Sequence, residues 1–175
     1  MTSRELENLV KTNNLKREPA SRREFEGLLQ SGEARLKDAA NEALADESRF
    51  DLAYNAAHAL ALAALRRLGY RSESRYLVFQ TLPHTVGVAA SVWRMLALCH
   101  ERRNRAEYEG LLEVDDRLLA DLIDAARVVL EAVRALPRWT PKLDAGLLVV
   151  FDFPHGVRIS AWANAYGLRV RHMFA

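Results

Sequence analysis

Residues 52–65 read LAYNAAHALALAAL, and the periodicity of this stretch decides the fold class. Ala53, Ala56, Ala57, Leu60, Ala61, Ala64 and Leu65 recur at the spacings of a helix face. Small side chains let neighbouring helices approach closely, so a helix from about Ser48 to Leu68 is expected at the centre of a bundle. Gly69 supplies its C-terminal stop. Asn55 and His58 interrupt the apolar run, which is too short to span a bilayer.

Working outward, the same period continues on both sides. Residues 3–13 predict a short helix with Leu6, Leu9 and Val10 on one side, broken by Lys16–Ala20, which contain Pro19. Ser21 followed by Glu24 predicts a capping box, opening a second helix with Phe25, Leu28, Leu29, Leu36, Ala39, Ala40 and Ala43 inward. After Gly69, the stretch GYRSESRYLVFQTLPHT reads as a connection with a short helix or turn. A fourth long helix is expected over 85–108, with Ala89, Trp93, Leu96 and His100 on one stripe and Gly110 as its end. A fifth starts at Asp115 or Asp116, faces Leu119, Leu122, Ile123, Ala126, Leu130 and Val133 inward, and stops before Pro137. The expectation is an all-α, up-down antiparallel bundle of about five helices over residues 1–137. Residues 138–175 differ: they contain no Glu and hold two of the three Trp. Two strands around Pro154-His155-Gly156 predict a hairpin or extended tail, which must pack on the bundle or on another subunit, or need not belong to the fold.

With half its residues hydrophobic, 27% charged and a net charge of +2 over 175 residues, the chain is globular rather than disordered. It is also not built to cover itself in nucleic acid, which takes a large positive excess. Its 21 Arg against 4 Lys fit carboxylate and phosphate recognition, but also a GC-rich coding bias. The lone Cys99 excludes an internal disulfide and reads as a core filler. The start, MTSRELENLVKTNN, is no secretory leader, so a soluble cytoplasmic protein with no membrane association is expected.

The polar end of the fourth helix, CHERRNRAEYEG at 99–110, is where function is sought. Helical steps from Trp93, Leu96 and His100 lead to Arg103, Asn104, Glu107 and Tyr108, so an apolar face runs on into a polar one. Either neighbouring helices answer those groups or the bundle opens there into a cleft. A basic helix end with Arg103 paired to Glu107 accounts for the same residues without function.

The segment RNRAEY at 103–108, preceded by LAYNAAHALALAAL and followed by a long amphipathic helix, resembles HEPN domains over residues 21–136. Arg103 and Asn104 match the family's Arg-Asn; Tyr108 stands at the family's His position. The resemblance implies a metal-independent endoribonuclease or RNA- or nucleotide-binding homodimer, often a toxin with a nucleotidyltransferase antitoxin, in which two motifs form one cleft. In such a cleft Arg103, with Arg102 and Arg105, would hold phosphate and Asn104 would position a ribose or phosphate oxygen. A phenol titrates near ~10 and an imidazole near ~6.5, so Tyr108 is a poor general base. His100 is the candidate substitute, and binding without efficient cleavage is the favoured reading. Tyr108 is also a candidate acceptor for nucleotidyl transfer.

Asp51, Tyr54, Asn55 and His58 share a face of the third helix; Asp51, Asn55 and His58 are expected to line the same cleft. Asp51, His58 and His100 lack a metal-protease spacing, so no metal and no cofactor are expected. Arg66-Arg67, Arg71 and Arg75 read as a solvated basic cluster. The alternative function is a non-catalytic helical protein–protein interaction module. The surroundings of Arg103 separate the two: motifs facing across a dimer cleft favour nucleic acid, whereas Arg103 neutralised by an internal carboxylate favours the interaction module.

Overall fold

The helical period does build helices. The structure is a computed structural model describing residues 4–110, 114–137, 148–152, 158–164 and 167–172. Among the described residues are seven helices: α1 (Arg4–Lys11), α2 (Arg22–Ala39), α3 (Asp46–Arg67), α4 (Arg75–Gln80), α5 (Leu82–Thr85), α6 (Ala90–Glu109) and α7 (Asp116–Arg134). The described residues of 4–136 form an all-α bundle. Two-residue strands, β1 (Lys16–Arg17) and β2 (Tyr70–Arg71), pair antiparallel beside it. No described helix is long and apolar enough to cross a membrane.

α3 lies at the centre, packed by α2, α4, α5, α6 and α7. It runs antiparallel to α2, because Arg49 Nε near its start bonds the Ala39 carbonyl while Arg66 at its end bonds Glu24. It runs antiparallel to α6 by the same logic, since Tyr54 meets His100 and Asp51 meets Arg103. Its small residues allow the approach: Ala53, Ala56, Ala57, Ala61 and Ala64 are all buried. At Gly32 the α2–α3 seam is so close that an added Cβ would lie 2.6 Å from Leu60 Cγ. α7 closes the core with the face expected of it, Leu119 to Val133.

Helix ends follow their caps, with three corrections. Asp115 accepts from the Leu118 amide at 2.8 Å, and Gly69 and Gly110 take the left-handed φ of 81° and 74° that a helix C-terminus requires. Ser21 accepts from the Glu24 amide, but the Glu24 carboxylate does not complete a capping box; it turns instead to Arg66 and Arg71. α2 also ends at Ala39, so Ala40 and Ala43, expected on its buried face, lie exposed in the following turn. There Asn41 caps the Ala43 amide with its own side chain, the local bond that diverts Asn from helices. α6 begins five residues later than expected, with Ala89 as its N-cap, after Gly87 adopts φ 72°.

Chain contacts separate Met1–Leu136 from Pro137–Ala175. In the second unit β3 (Leu148–Asp152) and β4 (Arg158–Asn164) pair antiparallel, and β5 (Gly167–His172), which the sequence did not announce, pairs antiparallel with β4. The expected turn at Pro154-His155-Gly156 falls outside the described residues.

Candidate functional site

The polar end of α6 meets the first turns of α3 and the start of α4, and Tyr54 is the hub of that meeting. Its ring is fully buried, while its hydroxyl oxygen lies 2.7 Å from His100 Nδ1. Two guanidinium groups face the same ring: Arg103 Cζ is 5.4 Å and Arg75 Cζ 5.7 Å from its centroid. Asn104 Nδ2 lies 3.1 Å from His100 Nε2, so both imidazole nitrogens are occupied by the chain itself. The Asn104 amide donates to Nε2, which places the ring proton on Nδ1, donating to Tyr54. Burial lowers the His100 pKa and the positive charges of Arg75 and Arg103 lower it further, so the ring is neutral near pH 7.

Arg103 is answered internally. Its Nε donates to Asp51 Oδ1 at 3.1 Å, and its Nη1 bonds Glu107 one helical turn on. Asn55 holds the far side: it donates to the Asp51 carboxylate and accepts from Arg75 Nη1 at 3.1 Å. His58 stands one turn deeper, edge-on to Phe79, and burial followed by the Arg75 charge pushes its pKa down to about 4. The result is one network from Asp51 to Asn104, with no buried side-chain polar atom unpartnered among the described residues.

The expected residues therefore divide. Asp51, Asn55, His100, Arg103 and Asn104 come together; His58 is a neighbour through Phe79. Asn55 answers Arg75 of α4 rather than a group on α6. Tyr108 does not join: it lies eight residues past His100, about 80° round the helix, and is 91% exposed. Arg105 is exposed and Arg102 partly so, and neither makes an ion pair among the described residues. Tyr54 and Arg75 complete the site although the expected cleft residues did not include them. Tyr54 was legible as the aromatic three residues after Asp51 and four before His58.

The basic cluster after α3 is corrected more sharply. Arg66 is 1% exposed, and its guanidinium donates to Glu24, Glu18 and the carbonyls of Glu18, Pro19 and Tyr70. Arg71 pairs with Glu18 and Glu24. Across 42 to 53 residues of chain, carboxylates reach back to these arginines, so the group is a structural clamp rather than a solvated face. Cys99 is buried in the core, and burial pushes its thiol up to about 12, which leaves it inert as a nucleophile. No cluster of three or more His, Cys, Asp or Glu suited to a metal occurs among the described residues. No protein-family model, no curated protein and no solved structure matches the chain.

Proposed function

We propose that residues 1–136 are a non-catalytic, HEPN-like helical interaction module that works in the cytoplasm. One observation carries this reading: the Arg103 guanidinium is held by Asp51 and Glu107 of its own chain. Two carboxylates beside the cation oppose a phosphodiester, and the neighbouring imidazole has both nitrogens engaged. General-base chemistry at His100 would first have to break its bond to Tyr54 or Asn104. With Tyr108 turned outward, no other expected general base stands beside Arg103.

RNA or nucleotide binding by a homodimer, in a toxin–antitoxin or defence setting with a nucleotidyltransferase partner, is the second reading. The exposure of the two acids favours it: Asp51 is 54% and Glu107 57% exposed. Such pairs contribute about 0–1 kcal/mol, so a strongly bound phosphate can displace them.

Incubation of wild-type protein and Arg103→Ala with total RNA in the presence of chelator distinguishes the readings. The interaction module predicts intact RNA and equal RNA retention for both proteins. Cleavage or retention by wild type that Arg103→Ala loses would replace the first reading with the second.

A further inference from the structure

While Arg103 faces inward, its neighbours build a different surface. Arg94, Leu98, Arg102 and Arg105 follow one another at spacings of four, four and three, so they form one stripe on the outer face of α6. The stripe rises about 16 Å along the helix. Arg94 and Arg105 are exposed, Arg102 is partly so, and Leu98 between them is 43% exposed. Elsewhere in the bundle arginines are commonly met by carboxylates, as at Arg17–Glu7, Arg71–Glu18 and Arg134–Glu33. None of the three stripe arginines makes an ion pair or a side-chain hydrogen bond among the described residues; Arg94 rests only on the ring of Trp93.

We propose that this stripe is the docking surface of the interaction module, and that its occupant is an acidic amphipathic protein segment. The inference rests on the interaction-module reading and names its partner. Charge complementarity calls for carboxylates opposite Arg94, Arg102 and Arg105, with an apolar side chain over Leu98. A nucleic-acid strand shares the charge but not the rest. Leu98 gains from an apolar cover and nothing from a phosphodiester. Glu101, on the flank of the same face, requires a cation opposite it, which a protein segment can supply and a phosphate strand cannot. Residues 1–136 also hold 20 Lys and Arg against 21 Asp and Glu, a net charge of −1, so the bundle lacks the broad positive field that draws nucleic acid. A second copy set antiparallel could pair Arg94 with Glu101, but it would bring no carboxylate to Arg102 or Arg105.

The test uses the full chain and three fluorescence-anisotropy titrations at about 150 mM salt, where long-range charge effects are screened beyond ~8 Å. The probes are a helical peptide with Glu residues spaced to the three arginines around a Leu, its charge-matched sequence-scrambled form, and a single-stranded oligouridine. The expected result is binding of the patterned peptide at least tenfold tighter than the scrambled one, lost at least tenfold in Arg102→Glu/Arg105→Glu and several-fold in Leu98→Ser. All four positions are on the outer face, and circular dichroism melting of each variant must overlay wild type. Equal binding of both peptides, or none, overturns the proposal. Tighter binding of oligouridine that the double variant abolishes reassigns the stripe to nucleic acid. Micromolar self-association abolished by Leu98→Ser reassigns it to a second copy. RNA cleavage dependent on Arg103 would sink the module reading while leaving these titrations to judge the stripe separately.

Discussion

The two ends of α3 each hold an arginine against carboxylates, and they do different work. At the C-terminal end Arg66 is 1% exposed; four hydrogen bonds tie it to α2 and the segment before it, and a fifth to the Tyr70 carbonyl. At the N-terminal end Arg103 of α6 reaches Asp51 with a quarter of its side chain still in solvent. The first arrangement is structural because a buried charge is tolerable only when its partners are complete. The second is marginal in energy, since exposed pairs give little net stabilisation. Pairing alone therefore does not make an arginine structural; burial and the number of donors satisfied do.

The contrast can be broken most decisively at Arg66. Replacing it by Ala leaves Glu24 Oε2 and the Pro19 and Tyr70 carbonyls without the Arg66 donor, and loss of about 3–5 kcal/mol of unfolding free energy is expected. Urea unfolding checks it; a loss under about 1 kcal/mol would show that the clamp is no firmer than a surface pair.

The second effect is a pH dependence at the α3–α4–α6 end. His58 titrates near ~6.5 when unfolded and at about 4 when folded, so the unfolded chain binds the extra proton between those values. Stability from this group is complete above pH ~6.5 and is lost as pH falls towards ~4, with a ceiling of about 3 kcal/mol at 1.36 kcal/mol per pH unit. Arg75 and His100 are the charged and titratable groups facing it, and His100 titrates in the same direction. Comparing denaturant midpoints at pH 7 and 4.5 for wild type and His58→Asn should show a smaller acid loss in the variant. Equal losses would place the acid sensitivity elsewhere.

Between the two ends lies the seam that both depend on. Gly32→Ala forces a methyl against Leu60, and overpacking of this kind costs about 1–3 kcal/mol. An unchanged melting temperature would mean that α2 and α3 can part without loss. The smallest effect is at Arg103. Arg103→Ala should cost about 1 kcal/mol or less, because its pairs are exposed and its Tyr54 contact is modest. That cost should shrink further in 1 M salt, whereas the Arg66 cost should not.

How much of this was legible depended on whether the signal was local. The inward faces of α3 and α7 follow from spacing alone, and Ser21, Gly69, Asp115 and Gly110 mark helix ends through bonds made within a few residues. Ala40 and Ala43 misled because alanine suits a helix face and an exposed turn equally, and only Asn41 hinted at the difference. Arg66 gave no sign of burial, since its answer comes from Glu18 and Glu24, more than forty residues earlier. Arg75 likewise reads from the sequence as part of a basic cluster, although its partners Asn55 and Tyr54 lie on α3. In the polar end of α6 the residue types were legible and their directions were not. One residue of helical phase turns Arg103 towards Asp51, and the same phase leaves Arg102 and Arg105 outside.

The most direct measurement is a titration of single-stranded RNA in chelator against wild type, Asp51→Asn/Glu107→Gln, and that double variant carrying Arg103→Ala. With the guanidinium held by its own acids, wild type should show no Arg103-dependent binding or cleavage. Removing both acids should then unmask binding that the added Arg103→Ala abolishes. RNA bound or cut by wild type and lost in Arg103→Ala would contradict the account outright.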